Sequence, residues 1–137
     1  MLTASGDITI FDGTQSRAIG LADLSGGPGS GYLNPLVFAS TFTLRVTSSG
    51  ACDLWVRRND TGPWLSAGEL QVQVLRIGDA IDPRPPITIG TSDLKLMESP
   101  TALDNQLYEL RYQLENFSPQ NAPAGYSTQV VFTLTDA

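Results

Sequence analysis

The segment from residue 123 to residue 136 limits the possible folds more than any other part of the chain. It begins with a Pro-x-Gly turn and continues as a run rich in Thr, Val and Phe. Its apolar residues alternate with mostly polar ones, and the apolar row is Tyr126, Val130, Phe132 and Leu134. Period-two alternation is typical of a half-buried β-strand, because successive side chains point to opposite faces. We therefore expect a final strand that is central to the core, where Phe132→Ala would cost about 3–5 kcal/mol.

Shorter alternating runs recur along the chain between turn residues. They cover residues 7–11, 42–47, 52–57, 70–77, 87–89 and 94–96. Thirteen Gly and nine Pro residues are spread among these runs, as expected for many strands joined by many turns. About seven to eight short strands with such spacing predict an all-β fold, an Ig-like two-sheet antiparallel sandwich.

Residues 106–115 fit two patterns. A period-two row consists of Tyr108, Leu110, Tyr112 and Leu114. A helical stripe would combine Leu103, Leu107, Leu110 and Leu114, and the Leu, Glu, Gln and Arg residues here are good helix formers. We favour the strand, because both tyrosines alternate with polar residues and all surrounding segments predict strands.

The length of 137 residues allows one hydrophobic core, so residues 1–137 are predicted to form a single domain. Residues 1–35 are expected to be a loosely structured arm and loop region, because the Gly-rich stretch 25–31 has no apolar anchor. No apolar run approaches the roughly 20 residues of a membrane-spanning helix, so no membrane span is predicted.

The ionisable residues argue against several functions. The net charge is −6, and Arg57 and Arg58 form the only basic cluster, so nucleic acid is not an expected partner. There is no His, which removes the commonest general base and transition-metal ligand. The sequence also lacks cofactor fingerprints and acidic calcium repeats. We therefore expect no enzymatic activity, no catalytic residue, no cofactor and no metal.

The single cysteine, Cys52, cannot form an internal disulfide. It belongs to an alternating run with Leu54 and Val56, and we interpret it as a small buried hydrophobic residue.

Two tryptophans are candidate exposed contacts. Trp64 lies on a Gly-Pro loop, where it could contact a second subunit, stack on a glycan or cap one end of the core. Trp55 lies opposite the row of Cys52, Leu54 and Val56. Either Trp55 is the inward residue and that row is outside, or an assembly contact covers Trp55.

Several segments together resemble secreted bacterial fimbrial, or pilin-like, β-sandwich domains. The run 42–56 resembles a core hairpin of those domains, and similar patterns occur at 70–74, 108–112 and 122–134. This resemblance implies a structural subunit that self-assembles into a pilus-like filament. Subunits would lend a strand to a neighbour, and the protein would be extracellular or on the cell surface.

The segment before residue 40 is the predicted assembly arm, with Ile8, Ile10 and Phe11 as its apolar residues. A strand on a long Gly-rich tether can reach another subunit at small entropic cost. The alternative is that this strand folds back as an edge strand of its own domain.

Two other functions remain open. A phage or virion structural protein, such as a decoration or tail subunit, would have the same architecture. A carbohydrate-binding module would use Trp64, although a glycan is the less favoured partner. The first residues lack the basic and apolar regions of a signal peptide, which fits an intracellular protein, a virion component or a mature secreted form.

Overall fold

The computed structural model describes residues 6–17, 34–60, 64, 69–117 and 128–136. All regular secondary structure in these ranges is β-strand. The strands are β1 Gly6–Phe11, β2 Leu36–Val37, β3 Phe42–Ser48, β4 Cys52–Asn59, β5 Glu69–Ile77, β6 Ala80–Ile81, β7 Ile87–Thr88, β8 Leu94–Ser99, β9 Leu103–Glu115 and β10 Gln129–Asp136.

The strands form two antiparallel sheets. The larger sheet has seven strands in the order β1-β3-β9-β5-β6, with β2 also paired to β9 and β7 to β5. The smaller sheet has three strands in the order β10-β4-β8. This confirms the predicted all-β, two-sheet antiparallel sandwich. The strand count exceeds the prediction because β2 and β6 are two-residue strands, too short to leave a period-two pattern.

The core lies between the sheets and is built by alternation within each strand. Buried residues of β3, β5 and β9 line the larger sheet, and Leu54 and Val56 of β4 line the smaller one. The ring of Phe42 stacks on Tyr112 with their centroids 4.6 Å apart. Such stacked pairs add to the stabilisation that comes from apolar area alone.

The ambiguous segment 106–115 is a strand, as predicted. It belongs to β9, which pairs with β3 on one side and β5 on the other. Tyr108, Leu110, Tyr112 and Leu114 are all buried. The period-two row therefore describes this segment, and the helical stripe does not.

The predicted hairpin over residues 42–56 is wrong in its pairing. β3 pairs with β1 and β9, whereas β4 pairs with β10 and β8. The turn after Ser48 thus carries the chain from the larger sheet to the smaller one. Both strands are still placed correctly along the sequence, because each has an inward apolar row that the core can bury from opposite sides.

The final strand occupies an edge, which corrects the prediction that it is central. Within the described ranges β10 pairs only with β4, and Val130, Phe132 and Leu134 are half-buried against the core. Their inward orientation is as predicted. Tyr126 and the Gly-rich stretch 25–31 lie outside the described residues.

Candidate functional site

The predicted assembly arm is an edge strand of the larger sheet. β1 pairs antiparallel with β3, with Ile8 opposite Val46 and Ile10 opposite Leu44. Directly opposed residues share a face, so Ile8 and Ile10 point toward the core side of the sheet. This arrangement matches the fold-back alternative rather than a free arm. Whether the strand also serves assembly stays a prediction.

The outer edge of β1 has no partner strand among the described residues. Ile10 is 45% exposed and Phe11 is 41% exposed, although both belong to a regular strand. The only charged residue in β1 is Asp7. Natural edge strands are usually protected by charges, Pro or bulges. From Ile8 to Phe11 β1 has none of these protections, and among the described residues its outer edge is unpaired.

The outer face of β1 carries one organised contact. The guanidinium carbon of Arg45 lies 5.2 Å from the centroid of the Phe11 ring. Arg45 projects from β3 and lies opposite Thr9 on one side and Leu107 on the other. A cation above an aromatic face attracts the ring quadrupole. Arg45 therefore lies near the strand edge and leaves its charge available there.

β10, one of the two edge strands of the smaller sheet, lies on the same side of the sandwich as β1. β1 and β10 approach each other, but they belong to different sheets. Residues 129–135 of β10 contain no charged residue. We call this side, formed by the outer edges of β1 and β10, the open side.

The opposite side is closed by the chain itself. The segment that begins at residue 80 runs along the edge of β5. The Asp82 amide donates a hydrogen bond to the Leu75 carbonyl, and the Arg84 amide donates one to the Val74 carbonyl. Residues 89 and 90 then connect the two sheets. The Ile89 amide donates to the Leu70 carbonyl of β5, and the Arg58 amide of β4 donates to the Gly90 carbonyl.

The β8 edge on the closed side is charged. Lys95 lies 3.6 Å from Asp53 and 3.4 Å from Glu98, and its ammonium lies 5.5 Å from the Trp55 ring centroid. The β4–β8 pairing also changes register between Leu54 and Trp55. Charges and an irregular register are the usual protections of a sheet edge. The two sides of the sandwich therefore differ in their capacity to add a strand.

The two tryptophans lie in different environments. Trp55 is half-buried on the outer face of the smaller sheet, and its Nε1 donates to Thr135 Oγ1 at 2.8 Å. Cys52, Leu54 and Val56 are buried, so the alternative that placed this row outside is wrong. Trp64 is half-buried against the core, with the Arg58 guanidinium 5.4 Å from its ring centroid. Trp64 thus packs against the core, and a contact of Trp64 with a second subunit or a glycan remains a prediction.

An ionic cluster fixes the start of β10. Arg58 Nε lies 3.1 Å from Asp60 Oδ1, and the Thr128 hydroxyl donates to the same carboxylate. The hydrogen bond from Thr128 is the main cause that holds the pKa of Asp60 below its usual value. Burial opposes it, and the hydrogen bond and charge of Arg58 add to the lowering. No sequence motif pointed to this cluster, because Asp60 and Thr128 are far apart in the chain.

A second polar cluster lies on the outer face of the larger sheet. Gln113 Nε2 donates to Gln71 Oε1 at 2.6 Å, and Gln71 Nε2 donates to Thr88 Oγ1 at 3.1 Å and to Glu115. Both glutamines are buried. Sequence alternation placed them on the solvent side, and only their opposed register in β5 and β9 reveals the pair.

Three further features of the described residues concern possible metal ligands, a groove and the cysteine. They contain no group of three or more Cys, Asp and Glu side chains placed to hold a metal ion. An open groove of about 800 Å³ lies between residues 12–15 and 39–41, and Asp12 is the only ionisable side chain in its lining. Cys52 is buried and free. No helix in the described part of the chain is long and apolar enough to cross a membrane.

Comparison with known proteins gives no relative: no family model, no curated protein and no solved structure matches this chain. The resemblance to fimbrial domains therefore stays a prediction.

Proposed function

We propose that this protein is a non-enzymatic structural subunit that self-assembles into an extracellular, pilus-like filament through pairing of strand edges. The observation that carries the proposal is the open side of the sandwich. There, β1 presents a strand edge without a partner among the described residues, and it exposes Ile10 and Phe11.

A strand added at this edge would be stabilised in two ways. An added strand accepts and donates main-chain hydrogen bonds along β1, and its side chains cover the exposed apolar residues. The contrast with β8 supports the assignment. Leu94 of β8 is also exposed, but Lys95 and Glu98 follow it on the same strand. A second strand approaching β8 would have to displace those charges from water.

The pairing of β1 within its own chain determines how β1 would contact another subunit. Because β1 is paired with β3 of its own chain, the subunit extends its sheet through β1 and does not lend a free arm. The extracellular location rests on the resemblance to fimbrial domains. Immunogold labelling of intact source cells tests that location separately from assembly.

Three leucine or isoleucine positions with similar exposure test the proposal. Ile10 on the β1 edge is 45% exposed, Leu94 on the β8 edge is 43% exposed, and Leu107 on the interior strand β9 is 44% exposed. Each is changed to Lys in the full chain. Oligomer formation is followed by sedimentation velocity and negative-stain electron microscopy, and folding by circular dichroism.

We expect Ile10→Lys to remain folded and to form no filaments, because an ammonium would be buried between the paired β1 edges. Leu107→Lys and Leu94→Lys add the same charge and should assemble like the wild type. A wild-type protein that stays monomeric at all concentrations would contradict the proposal. So would equal assembly by all three variants.

A further inference from the structure

We infer that the partner of the β1 edge is β1 of a second copy of this chain, paired antiparallel about a twofold axis with Thr9 opposite Thr9 of the second copy. This inference rests on the proposed function, since it requires assembly at the β1 edge. It adds the identity of the partner strand and the register of the contact.

The faces of β1 restrict the possible registers. Ile8 and Ile10 share the core-side face of the sheet, and Asp7, Thr9 and Phe11 share the outer face. When two copies pair about a twofold axis normal to the sheet, directly opposed residues lie on the same face. A slip of one residue would place apolar residues opposite polar ones on the wrong face. Only registers that join like faces are therefore compatible with a continuous core side.

Among those registers, the one centred on Thr9 pairs the most side chains favourably. It places Ile8 of each copy opposite Ile10 of the other, so the isoleucine row continues across the twofold axis. It also places Thr9 opposite its own counterpart, a favourable cross-strand pair. Centring on Ile8 would place Gly6 opposite the exposed Ile10. Centring on Ile10 would leave Asp7 and Ile8 unpaired.

Charge complementarity supports the same register. Asp7 comes opposite Phe11 of the second copy, and the Phe11 ring carries the Arg45 guanidinium at 5.2 Å. Each Asp7 carboxylate thus faces the cation that lies over the other copy's ring, and the symmetry repeats the contact. Within the described part of the chain, neither Asp7 nor Arg45 forms an ion pair. Both charges are available for this contact.

An isologous contact closes on itself, so β1 pairing gives a dimer in which two seven-stranded sheets become one continuous sheet. Filament growth would then join such pairs through a different surface. The dimer is the repeating unit that the inference predicts.

Disulfide trapping tests the register directly. Opposed Cα atoms in antiparallel strands are about 4.5–5.5 Å apart, within the distance that a disulfide spans. Under mild oxidation, most full-length Thr9→Cys chains should therefore form a disulfide-linked dimer. Wild-type protein is a control, because its only cysteine, Cys52, is buried. Leu107→Cys is an exposed control away from the edge, and both controls should stay uncross-linked.

A second pair of variants keeps the test decisive if Thr9→Cys disturbs the fold. Asp7→Cys and Phe11→Cys replace exposed residues. In the predicted register they should cross-link when mixed and remain largely reduced when oxidised separately. Strong self-cross-linking of Asp7→Cys alone would overturn the register.

The outcomes separate this inference from the proposed function. If Ile8→Cys or Ile10→Cys self-cross-links in place of Thr9→Cys, edge assembly stands and the register is wrong. If wild-type protein assembles and no β1 cysteine cross-links, assembly uses another surface and this inference fails. If wild-type protein is monomeric at every concentration and no β1 cysteine cross-links, both fail.

Discussion

β9 and β10 carry the same type of alternating pattern but play different parts in the sandwich. β9 pairs with β3 and β5 on its two sides, and its row from Tyr108 to Leu114 is buried. In the part of the chain that the structure describes, β10 pairs only with β4, and its row from Val130 to Leu134 is half-buried. The two rows face the same core from opposite sheets.

The inward orientation of a side chain and its degree of burial are separate properties, and alternation predicts only the first. Alternation specifies which side chains face inward. The number of neighbouring strands determines how completely those side chains are buried and how many backbone groups are paired. A strand with two neighbours contributes mainly to stability, whereas an edge strand retains backbone groups that can bind a partner. Four experiments can measure how this difference in pairing affects stability and local opening.

The largest contrast is expected between two phenylalanines whose rings lie 6.1 Å apart. Phe42 of β3 is buried beside β9, and Phe132 of β10 is half-buried. Phe42→Ala should cost about 3–5 kcal/mol, and Phe132→Ala about 1–3 kcal/mol, because partial exposure lowers the transfer term. Urea unfolding measures both. Equal losses would show that β10 is as deeply integrated as β3 and would restore the central role expected from its sequence.

The second prediction concerns the buried tyrosines of β9 at alkaline pH. Burial raises the pKa of Tyr112 well above its usual value, and burial, then the Cys52 charge, raises the pKa of Tyr108. A raised pKa in the folded state means that stability is complete below the unfolded value near pH 10 and falls as pH rises above it.

Each such tyrosine should lower the unfolding free energy by up to about 1.4 kcal/mol per pH unit above about pH 10. Tyr112→Phe should flatten this dependence, measured by urea unfolding from about pH 8 to about pH 11. Tyr108→Phe provides a second variant on the same strand and should flatten it less. An unchanged slope in Tyr112→Phe would mean that β9 opens before its tyrosine titrates.

The third prediction concerns the attachment of the β10 edge to β4. The pKa of Asp60 is lowered by Thr128 and Arg58, so their contribution is present above the unfolded value near pH 4 and is lost as pH falls below it. Thr128→Val keeps the side-chain shape and removes the donated hydrogen bond. It should cost about 0.5–1.5 kcal/mol at neutral pH, and the difference should disappear in acid. A loss that is independent of pH would assign the effect to packing.

The smallest effect is kinetic and uses Cys52 as a probe of edge opening. Cys52 lies opposite Asp136 of β10 and Ser99 of β8, and it is buried. Native protein should react with a thiol reagent far more slowly than unfolded protein. Local opening of β10 should still expose Cys52 before global unfolding.

A cysteine within β5 provides the matched interior probe. Val74→Cys in a Cys52→Ala background replaces a residue that is as buried as Cys52. It should be labelled only on global unfolding, whereas Cys52 is labelled earlier at low urea. Cys52→Ala itself should cost about 1–2 kcal/mol. Identical labelling of both positions would indicate that edge and interior strands open together.

Much of the fold was predictable from the sequence, but less of the candidate site was. The strand over residues 106–115 followed from its tyrosines, and burial of Cys52 followed from its place in an alternating run. Ile8, Ile10 and Phe11 were identified as apolar residues available for contact. Arg45 was not, because its place beside Phe11 depends on the pairing of β1 with β3.

Period-two alternation specifies most of the strands and the apolar face of each, because it is a local property of neighbouring residues. Three features depend on long-range strand pairing: β1 pairs with β3 of its own chain, β3 and β4 belong to different sheets, and β10 is an edge strand. The tertiary structure also brought Gln71 to Gln113 and Asp60 to Thr128. The reason is that strand order depends on which distant strands can pair and bury their faces together, and a strand's own residues do not encode its neighbours.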